Sequence, residues 1–205
     1  MPRDTASKIL KVIRGHGPGW AFSQRDLAGI GARDAVDKAL QRLLQKGTIR
    51  RVIRGLYDYP RFSTLLDQEL SPDTDQAAQA LARKFRWRIQ PSGAAAQNLL
   101  GLSTQVPAKI VYLSDGPDRF YKIGNTALVF EHTALKEAGF KRRESALIVQ
   151  ALKSLGSERV TPQVVAKIRE WLGPKLRDKV LNDTRTATGW VYAAIKQIAR
   201  ENSNG

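Results

Sequence analysis

Arg33, Lys38, Gln41 and Arg42 recur at intervals that set them on one side of a helix, and Lys46, Arg50, Arg51 and Arg54 follow within a short alternating segment. Cationic side chains neutralise the closely spaced phosphates of a duplex, while polar side chains on an inserted helix read base edges in the major groove. The pattern assigns groove contacts to Arg33, Lys38, Gln41 and Arg42. It assigns phosphate contacts to Lys46, Arg50, Arg51 and Arg54, with Arg14 as a flanking candidate. The competing reading is that these are solvated charges on a small helical domain. Asp34 and Asp37 favour it, unless they pair with Lys38 or Arg42 or accept from a base amino group.

The elements that must hold these residues can be built locally. Ala6, Ile9, Leu10 and Ile13 give a first helix one apolar stripe, and Gly15 is expected to stop it. Trp20-Ala21-Phe22 follows as an extended piece. Ser23 stands three residues before Asp26, the spacing of a capped helix start, and Gly29 and Gly31 keep that second helix brief. A third helix spans about Ala32 to Lys46, with Val36, Leu40, Leu43 and Leu44 on its apolar face. Gly47 suits the left-handed residue that closes a helix. Ile49 to Ile53 then alternate as a strand, Arg54-Gly55 turns, and Leu56 to Tyr59 return. Helix, strand, two helices and a hairpin make a winged helix-turn-helix, which docks a helix in the major groove with a basic wing beside it.

The charge balance agrees. The chain carries 34 Lys and Arg against 19 Asp and Glu, a formal +15, which favours polyanionic partners. Residues 1–60 hold 12 basic against 5 acidic residues, residues 61–140 hold 9 against 8, and residues 141–205 hold 13 against 6. Two basic ends therefore flank a near-neutral middle. There is no cysteine, which excludes disulfides and thiolate metal sites and fits a reducing compartment. No apolar stretch approaches the roughly 20 residues of a membrane span, and the opening MPRDTASKIL does not read as a signal peptide. The expectation is a cytoplasmic protein with no membrane partner and no cofactor.

Downstream, a linker-like segment through Leu65, Leu66 and Leu70 leads to a helix from about Asp73 to Phe85. Trp87 and Ile89 suggest a short strand, Pro91-Ser92-Gly93 a turn, and Ala94 to Leu99 a small-residue helix. Lys109–Leu113, Arg119–Ile123 and Thr126–Glu131 read as a three-stranded antiparallel meander. From Lys141 the period is helical: one stripe through Leu147, Ile148, Ala151, Leu152 and Leu155, and a second through Val164, Val165, Ile168, Trp171 and Leu172, opened by Thr161-Pro162. Two more helices are expected at Lys175–Leu181 and roughly Asp183–Arg200, then a disordered tail from Asn202. The predicted class is α+β: a winged helix-turn-helix at 1–60, a mixed α/β region at 61–140 and a helical portion at 141–205.

Three strings carry a resemblance to a known family: RRVIRGLYDYP from Arg50, PSGAAAQNLLGLSTQVPAKIVYLSDG from Pro91, and RFYKIGNTALVF from Arg119. Over roughly residues 5–135 the chain resembles the AbiEi-type antitoxins of type IV toxin–antitoxin systems, with Asn98, Gly101, Leu102 and Pro107 in matching order. The resemblance implies a transcriptional repressor that binds double-stranded DNA at its own promoter and counteracts a nucleotidyltransferase-like toxin encoded next door. It assigns the DNA-binding role to the wing and the third helix and identifies no toxin-contact residue. The alternative is an RNA- or DNA-binding regulator unrelated to any toxin.

Enzymatic readings find little support. A metal-dependent nuclease needs clustered carboxylates, and the middle region offers Asp115 and Asp118 in a turn and Glu131 without a following Glu-x-Lys. No Walker-type or G-x-S-x-G motif occurs, and His16 and His132 are the only histidines. Neither is expected in a metal site or a catalytic triad. A second binding reading places Tyr112, Phe120 and Tyr121 beside Arg119 and Lys122 as a base-stacking platform, set against alternation that would bury about half of these rings. Finally, Lys141, Arg142, Arg143, Lys175, Arg177, Lys179 and Arg185 could grip DNA, face an acidic protein, or simply be solvated.

Overall fold

A computed structural model describes residues 5–103, 107–133 and 140–200, so the tail expected beyond Asn202 lies outside the described residues. Helix α1 (Thr5–His16) buries Ile9 and Ile13 completely and runs just past Gly15, ending at the left-handed Gly17. Strand β1 (Ala21–Phe22) leads into a 3₁₀ turn (Gln24–Leu27), then α2 (Arg33–Gln45), β2 (Arg50–Ile53) and β3 (Leu56–Asp58). The three strands form an antiparallel sheet in the order β1-β3-β2. Ala21 and Phe22 face Asp58 and Tyr57, which face Arg50 and Arg51 on the other side, with a register irregularity between Arg51 and Ile53. Ile9, Ile13, Phe22, Leu27, Val36, Leu40, Leu43 and Ile49 close one core beneath this sheet. Order and pairing are those of a winged helix.

The second helix of the motif is only a 3₁₀ turn. The Asp26 carboxylate accepts from both the Ser23 backbone N–H, at 2.8 Å, and its hydroxyl, at 3.0 Å. Gly29, at φ 83°, then stops the chain from continuing as a helix.

The same unit continues past residue 60. Where a linker was expected, β4 (Phe62–Ser63) and β5 (Gln68–Glu69) pair as a small hairpin. Helix α3 (Thr74–Phe85) follows, its N-terminus capped by Asp73, which accepts from the Gln76 N–H at 3.0 Å. Its Ala77, Ala78, Ala80 and Leu81 are fully buried, and it packs against β1, the 3₁₀ turn and β3. Arg83 fastens it there, donating from Nε to Asp26 at 2.5 Å and from Nη2 to the Ala21 carbonyl at 2.8 Å. The first compact unit accordingly extends to Ile89 and also takes in Arg119–Leu128.

Strands β6 (Ile89–Pro91), β7 (Lys109–Ser114), β8 (Arg119–Ile123) and β9 (Thr126–His132) pair in the order β6-β7-β9-β8. A strict meander would put β8 in the middle; instead β9 does so. Burial gives the reason: β9 buries Leu128 and Phe130 completely, whereas β8 leaves Arg119, Phe120 and Lys122 exposed, a composition suited to an edge.

The second unit comprises Gln90–Asp118 and the chain from Val129 onward. Helix α4 (Gly93–Leu99) starts under the Ser92 side chain and lies so close to α5 (Arg143–Leu155) that a Cβ on Gly93 would collide with Ser154. Helices α6 (Pro162–Leu172), α7 (Pro174–Asp183) and α8 (Gly189–Ala199) complete a helical bundle. Its core holds Leu147, Ile148, Ala151, Leu152, Ile168, Val180, Val191, Ile195 and Ile198. Thr161 and Pro162 open α6 as cap and first residue. Helix α8 begins later than the sequence suggested. The buried Thr184 turns its hydroxyl back onto the Val180 carbonyl at 2.8 Å, which ends α7 and leaves a turn before Gly189. Among the described residues no helix is long and apolar enough to cross a membrane.

Candidate nucleic-acid interface

The cationic side of α2 lies at the surface. Arg33, Lys38, Gln41, Arg42 and Lys46 are all exposed, while Val36, Ala39, Leu40 and Leu43 on the opposite face are buried. Gly47, at φ 66°, closes the helix with its N–H on the Leu44 carbonyl, and the Thr48 N–H on the Leu43 carbonyl swings the chain into β2. Arg51 and Arg54 are exposed on the wing, with the Arg51 guanidinium 5.9 Å from the centre of the Tyr57 ring. Arg14 is exposed at the end of α1.

Arg50 differs from its neighbours. Its Nε and Nη2 reach the two carboxylate oxygens of Asp58 at 3.1 and 2.6 Å, and Glu69 lies 3.8 Å from Nη1. The hydrogen bond to Asp58 outweighs partial burial and raises an already high pKa, so Arg50 is a permanent cation committed inside the wing. The expectation that it contacts phosphate is therefore revised: adjacent strand residues point to opposite faces, and Arg50 takes the side facing Asp58.

Of the two acids that seemed to oppose a phosphate-binding role, Asp34 and Asp37, the second is engaged by a neighbouring side chain. Asp37 accepts from the Gln24 side chain and ties the 3₁₀ turn to α2. Asp26 is held by Ser23 and Arg83, and Asp58 by Arg50. Asp34 sits in the first turn of α2, where a negative charge suits the helix dipole.

Two residues join this surface that sequence reasoning did not single out. Lys84, near the end of α3, lies against the wing turn: a Cβ added to Gly55, itself at φ 75°, would stand 2.9 Å from Lys84 Nζ. Arg25, exposed on the 3₁₀ turn, donates from Nη1 to the Lys84 carbonyl at 3.2 Å. No local pattern marks Lys84, because it comes to the wing turn through the packing of α3.

The aromatic platform is not assembled. Tyr112 is fully buried against Phe130 at 6.1 Å, Tyr121 is half-buried, its hydroxyl pKa pushed up by burial, and Phe120 is 65% exposed. His16 stacks on Trp20 at 3.9 Å, and His132 Nδ1 lies 2.9 Å from the Gly116 carbonyl oxygen. Glu131 meets Lys109 at 3.5 Å, and Asp118 accepts from the His132 N–H at 2.6 Å. Among the described residues no group of three His, Cys, Asp or Glu is placed to hold a metal ion.

The model of a family of unknown function, DUF6088, matches residues 8–180, a span that runs from α1 into α7. No curated protein and no solved structure matches the chain.

Proposed function

The chain belongs to this family, DUF6088, and we propose that it is a DNA-binding transcriptional repressor that uses its winged helix to hold the promoter of its own operon. The observation that carries the reading is the sheet order β1-β3-β2 together with an α2 whose polar face is solvent-exposed beside a basic wing. In this reading Arg33, Lys38, Gln41 and Arg42 enter the major groove. Lys46, Arg51 and Arg54 straddle the phosphates, joined by Lys84 and Arg25, while Arg50 braces the wing from within.

The likeness of the Arg50–Pro60, Pro91–Gly116 and Arg119–Phe130 segments to AbiEi-type antitoxins extends the proposal to the antitoxin of a type IV pair opposing a nucleotidyltransferase-like toxin. Both halves are open to test in cells. A reporter driven by the DNA upstream of the gene should be silenced by the chain, and growth arrest by the product of the neighbouring gene should be relieved by it. An unaffected reporter refutes the repressor. Silencing without relief refutes the antitoxin half and leaves a regulator unrelated to a toxin.

A further inference from the structure

Lys141 and Arg142 before α5, Lys179 on α7 and Arg185 in the turn before α8 converge on one open cleft of about 650 Å³ in the helical unit. Asn182 and Thr186 complete the polar lining. The one acid there, Asp183, is engaged by the backbone: its two oxygens accept from the Lys141 and Arg142 N–H groups, each at 2.9 Å. The Asn182 side-chain oxygen accepts from Arg185 Nη2 at 2.7 Å and so fixes one face of that guanidinium. The cleft thus sets four cations around a single carboxylate that already has its donors.

We propose that this cleft binds closely spaced phosphates, the chemistry shared by free oligophosphates and by the phosphate groups of a nucleic-acid chain. Three properties point there. Four like charges around one concavity repel one another until an anion neutralises them. Guanidinium and ammonium groups together supply the forked and point donors that phosphate oxygens take. Every described residue lining the cleft ends in a charged or polar group and none is aromatic, so it offers no ring face on which bases stack. Recognition falls on the phosphates themselves. The site uses no residue of the wing and stands or fails separately from the repressor reading.

The test is calorimetric titration of the full chain with inorganic triphosphate and, in a second arm, with a short single-stranded oligonucleotide, at matched ionic strength. The cleft variant K179A/R185A is compared with K153A/K167A, which removes the same charge from the same unit outside the cleft. Circular dichroism shows whether each variant is folded, and single K179A and R185A variants stand in if the double variant is not. The expected result is about tenfold weaker binding per cation removed from the cleft, and little change in the control. Loss in the triphosphate arm identifies a free oligophosphate as the source, and loss in the oligonucleotide arm alone identifies the phosphodiester chain. Equal weakening in the control variant, or no binding in either arm, overturns the proposal.

Discussion

Arg50 and Asp58 face each other across the wing hairpin, the guanidinium giving Nε at 3.1 Å and Nη2 at 2.6 Å to a carboxylate whose side chain is only 2% exposed. Arg50→Ala leaves that carboxylate buried without its main partner, at a cost of about 1–3 kcal/mol. Urea unfolding should register this loss, and adding Asp58→Ala should restore part of it. Arg51→Ala and Arg54→Ala, at exposed positions, should stay within about 0.5 kcal/mol of the parent. A destabilised Arg51 variant beside an unchanged Arg50 variant would reverse the assignment of the two arginines.

The helix face and the wing should fail in different ways. Gln41→Ala or Arg42→Ala is expected to cost about 1–3 kcal/mol of discrimination between the promoter and a mismatched duplex. Arg51→Ala with Arg54→Ala should weaken all duplexes alike and flatten the slope of log affinity against log salt by about 2. Competition binding on paired duplexes separates the two. Identical behaviour of the two sets would contradict this docking of α2.

Gly55 serves the wing through its backbone and through the space it leaves. Its φ of 75° costs a residue with a Cβ about 1–2 kcal/mol, and that Cβ would also crowd Lys84 Nζ. Gly55→Ala should lower stability by at least that amount, and Lys84→Ala in the same chain should relieve only the crowding. Lys84→Ala alone should weaken duplex binding about as much as loss of one wing arginine, with its unfolding midpoint unchanged. Wild-type affinity in that variant would remove Lys84 from the interface.

Acid should loosen the helical unit through Asp183. Burial pushes its pKa up, but the backbone N–H groups of Lys141 and Arg142 and the charge of Arg142 outweigh it, and the carboxyl ends below the usual carboxylate range. A folded-state pKa below the unfolded one gives stabilisation that is complete above the unfolded value. It is lost as pH falls through the lower folded value. Unfolding free energy measured down a pH series should therefore drop less steeply across that acid window in Asp183→Asn than in the parent. Superimposable acid limbs would mean that the carboxylate contributes nothing to holding Lys141 and Arg142.

The legible parts of this chain are those with local causes. Gly47 and Thr161-Pro162 mark helix ends by their own chemistry, and α1, α2, α3, α5 and α6 fall where the apolar stripes put them. The β4–β5 hairpin was not legible, since two residues per strand show no alternation and Leu65 and Leu66 at its tip are exposed. The order of β8 and β9 depends on which strand buries its side chains, a property of the assembled sheet. In the candidate interface, the exposed face of α2 followed from periodicity. Separating Arg50 from Arg51 required the register with Asp58, and finding Lys84 required knowing where α3 packs.

Fluorescence anisotropy of the full chain on the duplex upstream of its own gene and on a scrambled duplex of equal length, over a series of salt concentrations, decides whether the winged helix reads DNA. A repressor of its own operon should bind the native duplex more tightly, with log affinity falling linearly as log salt rises. Equal, weak binding to both would contradict it and reduce the basic wing to a generic polyanion surface.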